Sequence, residues 1–402
     1  MKNFLTWISA ITGLAPPLIQ PQERLRPGFY HKPVPVNGAA DWDNIITGVY
    51  GNPPVLKIHD SQGVVKWKWS RDHLKQKLPN DIKKCLFSVA NDATEVKWIR
   101  NGTAVAAIYS DTVLIINHTP SNSKTDKKIT FAACRQNSLL HNAHTLEMLP
   151  GDLLAVATTG QTASDGFVVY NASEKASLDA NPTVLQKVSG MRAIHGMIWD
   201  ETEQLLWATG TDHAADGSEK TPAYGVLQGY PFNTRTGRFL TNNSNNSNKR
   251  RYSLSKALDI EPEWGRGTWW AGPHDLVPVP NQRKFLISND WELYAFDIPT
   301  GVFTEKGEDV VHRYLRGFHA TTYDRHGYSR NGRYVELPRS DLKSFSIAPD
   351  GSFLYVQSLW KQYRGNHTSI VVQGVKNEIN QHDPIYRSRF FADIPGWPKP
   401  KN

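Results

Sequence analysis

The chain has 402 residues, 39% hydrophobic and 21% charged, with 13 Trp, 15 Tyr and 15 Phe, a composition that can bury a large core and excludes a disordered tail protein. Its formal net charge of +8 favours anionic partners, yet the basic residues are scattered, Lys249-Arg250-Arg251 being the one tight run. No arginine-rich arm or aromatic RNA-binding motif accompanies them, so no nucleic acid is expected, and no stretch beyond the N-terminus is apolar for the ~18 residues of a membrane span.

Lys2 followed by the apolar run Phe4 to Leu14 predicts a secretory signal peptide over residues 1–20, although no Ala-x-Ala site follows and Pro16-Pro17 stand behind Ala15. An ordinary N-terminal strand or helix is the alternative. Residues 21–41, with Pro21, Pro27, Pro33 and Pro35, read as an extended arm. The Asn-x-Ser/Thr sequons at Asn101, Asn117, Asn171, Asn242, Asn245 and Asn366 agree with a secreted glycoprotein.

From about residue 42 the sequence turns to short strands. A first strand is expected near Ile45, then a hairpin from Val55–Ile58 and Val64–Trp69 around Asp60-Ser-Gln-Gly. After it one phrase recurs: a polar residue, an alternating stretch, a turn rich in Pro, Gly, Asp or Asn, and an apolar run. It reads Glu95-Val-Lys-Trp, His144-Thr-Leu-Glu-Met-Leu-Pro, His195-Gly-Met-Ile-Trp-Asp, His274-Asp-Leu-Val-Pro-Val-Pro and Ser344-Phe-Ser-Ile-Ala-Pro. Each copy predicts a hairpin whose second strand is buried on both faces. Spacings near 50 residues, stretched before His274 by an Asn/Ser-rich insertion at Thr241 to Lys249, are those of β-propeller blades.

Glu292 to Phe303 forms a further hairpin around Pro299-Thr-Gly, and Val310 to Val335 leaves room for an additional blade. The expected fold is all-β: a single seven-bladed β-propeller over 42–395, six blades being the alternative, closed by a C-terminal strand at Ile385 to Phe391 that removes an open sheet edge. Cys85 and Cys134 each stand ten residues before a repeat copy and so occupy equivalent places, near the axis; a disulfide and two buried thiols both fit.

The phrases resemble a largely uncharacterised group of exported fungal and bacterial propellers, within the seven-bladed quinoprotein-like and WD40/YVTN-like superfamily. The resemblance spans roughly Ile45 to Val375 and implies a fold, whereas propellers host many unrelated functions. It also implies that each blade's first strand lines a central funnel, so that His144, His195 and His274 converge there.

For those histidines, either a hydrogen-bonded anchor between blades or a functional role is open. The leading reading is cleavage of an acidic oligo- or polysaccharide by β-elimination, a lyase reaction needing a base, a cation beside the substrate carboxylate and an acid for the leaving oxygen. His144, His195 and His274 supply the base, Tyr323 the acid. Arg192 and Lys343 offset the carboxylate, Trp269 and Trp270, with Trp264 before them, offer faces for sugar stacking, and Asp275 and Glu95 contact substrate. Nothing positions two carboxylates for hydrolysis. The alternatives are a non-catalytic propeller binding a glycan or protein, and a metal enzyme in which the three histidines hold a divalent ion, with Glu95 or His319 added. A monomer is expected.

Overall fold

The structure is a computed structural model, described here for residues 42–400 apart from 136–139, 141, 159–165, 175, 177, 215–222, 241–249, 255–259, 263–271, 324, 330 and 360–362. The expected signal peptide, N-terminal arm and Asn/Ser insertion, and Trp264, Trp269 and Trp270, lie outside the described residues.

The chain begins with β1 (Ile45–Val49), β2 (Val55–His59) and β3 (Val65–Trp69), followed by helix α1 (Asn80–Leu86). Next come β4 (Ala93–Ile99), β5 (Ala104–Tyr109), β6 (Thr112–Asn117) and β7 (Ile129–Cys134), then β8 (Ala143–Leu149), β9 (Leu153–Thr158), β10 (Phe167–Asn171) and β11 (Val184–Val188). The sheet after these holds β12 (Arg192–Asp200), β13 (Leu205–Thr211) and β14 (Gly225–Asn233), with β15 (Arg238–Phe239) and β16 (Arg251–Ser253) both against β14. After β17 (Ile260–Pro262) come β18 (Pro273–Pro278), β19 (Lys284–Asn289), β20 (Leu293–Asp297) and β21 (Val302–Lys306). Helix α2 (Glu308–Tyr314), β22 (His326–Ser329) and β23 (Tyr334–Glu336) precede β24 (Leu342–Ile347), β25 (Phe353–Gln357), β26 (Gly365–Val372) and β27 (Val375–Phe390).

All pairings between these strands are antiparallel, and four sheets run in sequence order from their first strand outward. The second strands β5, β13 and β25 are buried at every position, the condition the apolar half of each repeat predicts for a strand covered on both faces. First strands β4, β8, β12, β18 and β24 each touch the next in order, and β27 touches both β24 and β4. Antiparallel meanders packed through their first strands form a β-propeller.

Strand β27 joins β24–β26 and β1–β3 into one seven-stranded sheet. Val375 to Asn380 pair with β26, whereas Ile385 to Phe390 pair with β1, so the C-terminal half stands as the innermost strand beside β1, β2 and β3. The expected pairing of Ile385 to Phe391 with an N-terminal strand is present.

Two expectations need correction. Among the described residues, Val310 to Val335 forms no four-stranded meander: α2 opens the segment, with Glu308 and Asp309 in its first turn, His312 and Arg313 in its last, and Val310 and Tyr314 buried four apart, an arrangement that suits the helix dipole and one apolar stripe. The helix gives way to the short β22–β23 hairpin, paired with β17. Cys85 and Cys134 do form a disulfide, Cα–Cα 5.9 Å, but it ties α1 to β7, the outermost strand of its sheet, and so lies away from the axis.

That bridge closes a loop of 49 residues, for which the chain-entropy account gives about 4 kcal/mol. The double variant Cys85→Ser/Cys134→Ser is therefore expected to lose about 2–5 kcal/mol in denaturant unfolding, and an unchanged midpoint would contradict this.

Candidate functional site

Each first strand carries a bulge near its start. Ala93 pairs with Tyr109 but Glu95 with Ile108; Ala143 with Thr158 but Thr145 with Ala157; Pro273 with Asn289 but Asp275 with Ser288; Leu342 with Gln357 but Ser344 with Val356. The residues standing out of register are Thr94, His144, His274 and Lys343. In β12 the irregularity covers 193–195 and ends on His195, and in β27 it falls at Tyr386. An extra residue in one strand bends the strand and re-aims a side chain, and here the bulged side chains meet.

This register corrects the repeat alignment by one residue. Thr94 and Lys343, not Glu95 and Ser344, are the counterparts of the histidines; Glu95, Thr145, Asp275 and Ser344 share the next position. Turn spacing carried that signal, since Pro150, Pro280 and Pro349 each stand six residues after His144, His274 and Lys343.

The His144 and His195 rings lie 4.8 Å apart by centroid and the His195 and His274 rings 5.7 Å apart, with Tyr386 5.5 Å from His144. His144 is partly exposed; His195, His274, Lys343 and Tyr386 are buried. Nδ1 of His144 is 2.9 Å from the Asn142 carbonyl and Nδ1 of His195 is 2.8 Å from the Ala193 carbonyl. A carbonyl only accepts, so both rings carry their proton on Nδ1. Burial, with Arg135 and Arg387 adding to it, pushes the His144 imidazole down to about 3 from 6.5; burial and the two neighbouring histidines push His195 well down too. Both are thus neutral near pH 7, and Nε2 is the lone-pair nitrogen.

His274 sits differently. Its Nε2 lies 2.5 Å from Asp290 Oδ1, 3.4 Å from Asp341 Oδ1 and 2.8 Å from Lys343 Nζ. Lys343 Nζ is 2.5 Å from Asp341 Oδ1 and 3.7 Å from Asp290 Oδ1, while Arg325 holds Asp341 Oδ2 at 2.5 Å. Burial opposes both charges, but each offsets the other: Lys343 and Arg325 hold the Asp341 carboxylate well below its usual range, and Asp341 and Asp290 hold the Lys343 ammonium up.

The next positions inward hold a second layer. Arg387, fully buried, donates to the carbonyls of His195 at 2.8 Å and His274 at 2.7 Å and to that of Lys343. Arg389 grips Asp275 at 2.9 and 3.0 Å and Glu95 at 3.2 Å. Further along the strands, Lys97 reaches Glu147 at 2.6 Å and the Met197 carbonyl at 2.7 Å, and Lys399 reaches Glu147 at 3.3 Å. Gly196 permits this closeness of first strands, because a Cβ there would stand 2.7 Å from that of Leu276.

The structure thus brings His144, His195, His274 and Lys343 together and adds Tyr386, Asp290, Asp341 and Arg387. Glu95 and Asp275 lie one layer below, spent on Arg389. Tyr323 is 67% exposed on the loop before Arg325 and, among the described residues, makes no hydrogen bond with the histidines. Arg192 stands partly buried at the start of β12, and His319 is exposed. Among the described residues, the group that could hold a metal is His274, Asp290 and Asp341, with ligand atoms within 4.8 Å of one another, rather than the three histidines.

No protein-family model matches the chain, and no curated protein does. Solved structures do. The crystal structure of a nidogen/laminin complex is 9% identical, TM-score 0.46, over 86% of this chain and 97% of the other. A mitotic checkpoint complex is 12% identical, TM-score 0.42, over 93% and 89%. The β-propeller domain of Myceliophteria thermophila Cps50 (Swd1) is 13% identical, TM-score 0.42, over 90% and 85%.

The lowered His144 has a consequence for stability. An unfolded chain protonates this imidazole below about 6.5, the folded one only near 3, so the unfolded state binds more protons between those values and stability falls as pH falls through that window. Thermal unfolding from pH 7 to 4 is expected to show that loss, with a shallower slope in His144→Asn; equal slopes would remove the assignment.

Proposed function

We propose that this chain is an exported six-bladed β-propeller that binds an acidic saccharide at the mouth lined by His144, His195, His274, Lys343 and Tyr386 and cleaves it by β-elimination. The blade count is supported by antiparallel meanders beginning with β4, β8, β12, β18 and β24 and by a sixth formed from the C-terminal half of β27 with β1 to β3. Export is supported by the Cys85–Cys134 bridge, which an oxidising compartment maintains.

The observation that carries the chemistry is a neutral imidazole with Nε2 unprotonated, His144, beside a protonated phenol, Tyr386, at 5.5 Å. Burial pushes Tyr386 above its usual value, against Lys343 and Arg387, so it holds the proton that a leaving oxygen needs. His144 is weak as a base in the free protein because burial, and then the nearby guanidinium groups, oppose its protonation; a bound carboxylate is the missing counter-charge and strengthens it. His144 Nε2 would take the proton beside the substrate carboxylate, the electron pair would form the new double bond, the glycosidic C–O bond would break, and the departing oxygen would take the Tyr386 proton. Tyr386 replaces Tyr323 in this role. Lys343, engaged with Asp341, stands nearest to meet the carboxylate.

Incubation with uronic acid polysaccharides should raise ultraviolet absorbance as unsaturated ends form. His144→Ala and Tyr386→Phe should each lower that rate at least about 100-fold, the usual scale for a positioned acid or base, while Tyr323→Phe leaves it unchanged. Saccharide binding without any absorbance rise would replace this reading by a non-catalytic propeller.

A further inference from the structure

We propose that His274, Asp290 and Asp341 form a divalent-cation site, and that the Lys343 ammonium fills it when no metal is bound. The three ligands come from separate segments: His274 from the bulge of β18, Asp290 from the turn between β19 and β20, and Asp341 from the residue before β24. All are buried, and their ligand atoms lie within 4.8 Å of one another. One imidazole and two carboxylates suit Mn²⁺, Fe²⁺ or Zn²⁺ and leave positions for other ligands.

Two further observations point to a ligand. Asp290 Oδ2 is buried without a hydrogen-bond partner, a cost folded proteins tolerate where a group has another use. The two carboxylate ligands are also held from behind, as metal sites favour. Arg325, fully buried, fixes Asp341 Oδ2. Asn289, whose carbonyl accepts from the Asp341 amide, uses its side chain to accept from the amides of Trp291 and Glu292, which shapes the turn carrying Asp290.

Lys343 Nζ lies within 3.7 Å of an atom of all three ligands, the place a cation would take. Around an ion with bonds of about 2.1 Å, ligand atoms stand about 3 Å apart, so His274 Nε2 and Asp290 Oδ1, now at 2.5 Å, need only a small outward turn. Lysine is a point charge on a flexible stem and can leave. With Lys343 in place two cations balance two carboxylates; with a divalent ion there and Lys343 swung toward the mouth, the site gains positive charge. Metal binding then frees the ammonium for an anionic ligand, and the two ligands should bind cooperatively.

The test uses the full chain and no activity. Mn²⁺ titration followed by electron paramagnetic resonance should show about one ion per chain. The occupied site lowers apparent affinity by the fraction that is metal-competent, so Lys343→Met should bind at least about tenfold tighter, and Asp290→Asn should lose the ion while keeping the native circular dichroism spectrum. Uptake by neither the wild type nor Lys343→Met, or equal uptake by Asp290→Asn, would overturn the proposal. Because binding is read directly, a site that takes the ion in a protein that cleaves no saccharide would leave this inference standing and remove only the elimination chemistry.

Discussion

Arg387 and Arg389, side by side on one strand, are the constraint on which the rest depends. Two guanidinium groups taken out of water are expensive unless their protons find acceptors and their charges partners. Here the terminal nitrogens of Arg387 find carbonyls of β12, β18 and β24, its Nε alone lacking an acceptor, and the charges face Glu95 of β4 and Asp275 of β18. No single sheet could satisfy them. The pair is stable only when the first strands of several sheets stand together, so the polar centre selects one arrangement among the many that apolar packing between blades would tolerate. Removal of one member would leave a buried charge uncompensated, at about 3–5 kcal/mol.

The same constraint shapes the mouth. Burial, joined by Arg387 beneath them and the neighbouring imidazoles, keeps His144 and His195 neutral, and the Asn142 and Ala193 carbonyls decide which ring nitrogen carries the proton. Burial and the charge beneath thus set the protonation of the layer above, while its own backbone carbonyls set the tautomer. His274 instead meets Asp290 through Nε2, so the three histidines, equivalent by repeat, are not equivalent in their partners.

Much of the fold was legible in the sequence because a blade repeats its hairpin. The phrases starting at His144, His195 and His274 became β8–β9, β12–β13 and β18–β19, and the pairing of Ile385 to Phe391 followed from the need to cover an edge. The one-residue slip at Glu95 and Ser344 came from aligning polar character, when a bulge shifts the polar position and the turn proline keeps the count. Tyr386, Asp290, Asp341, Arg387 and Arg389 were not legible: none lies in a repeated phrase, and they reach the histidines through turns and through a strand far along the chain. The segment from Val310 to Val335 misled because its short strands match blade strands in composition, while the helix there depends on two residues four apart.

Strand β27 joins two meanders of one sheet and supplies Tyr386, Arg387 and Arg389, and among the described strands it is made last. A growing chain can lay down the histidines and form most meanders while the mouth still lacks its phenol and its underlying charge. The chemistry proposed here is thus withheld during synthesis and begins only when the last strand docks, so that the site itself reports that folding is complete.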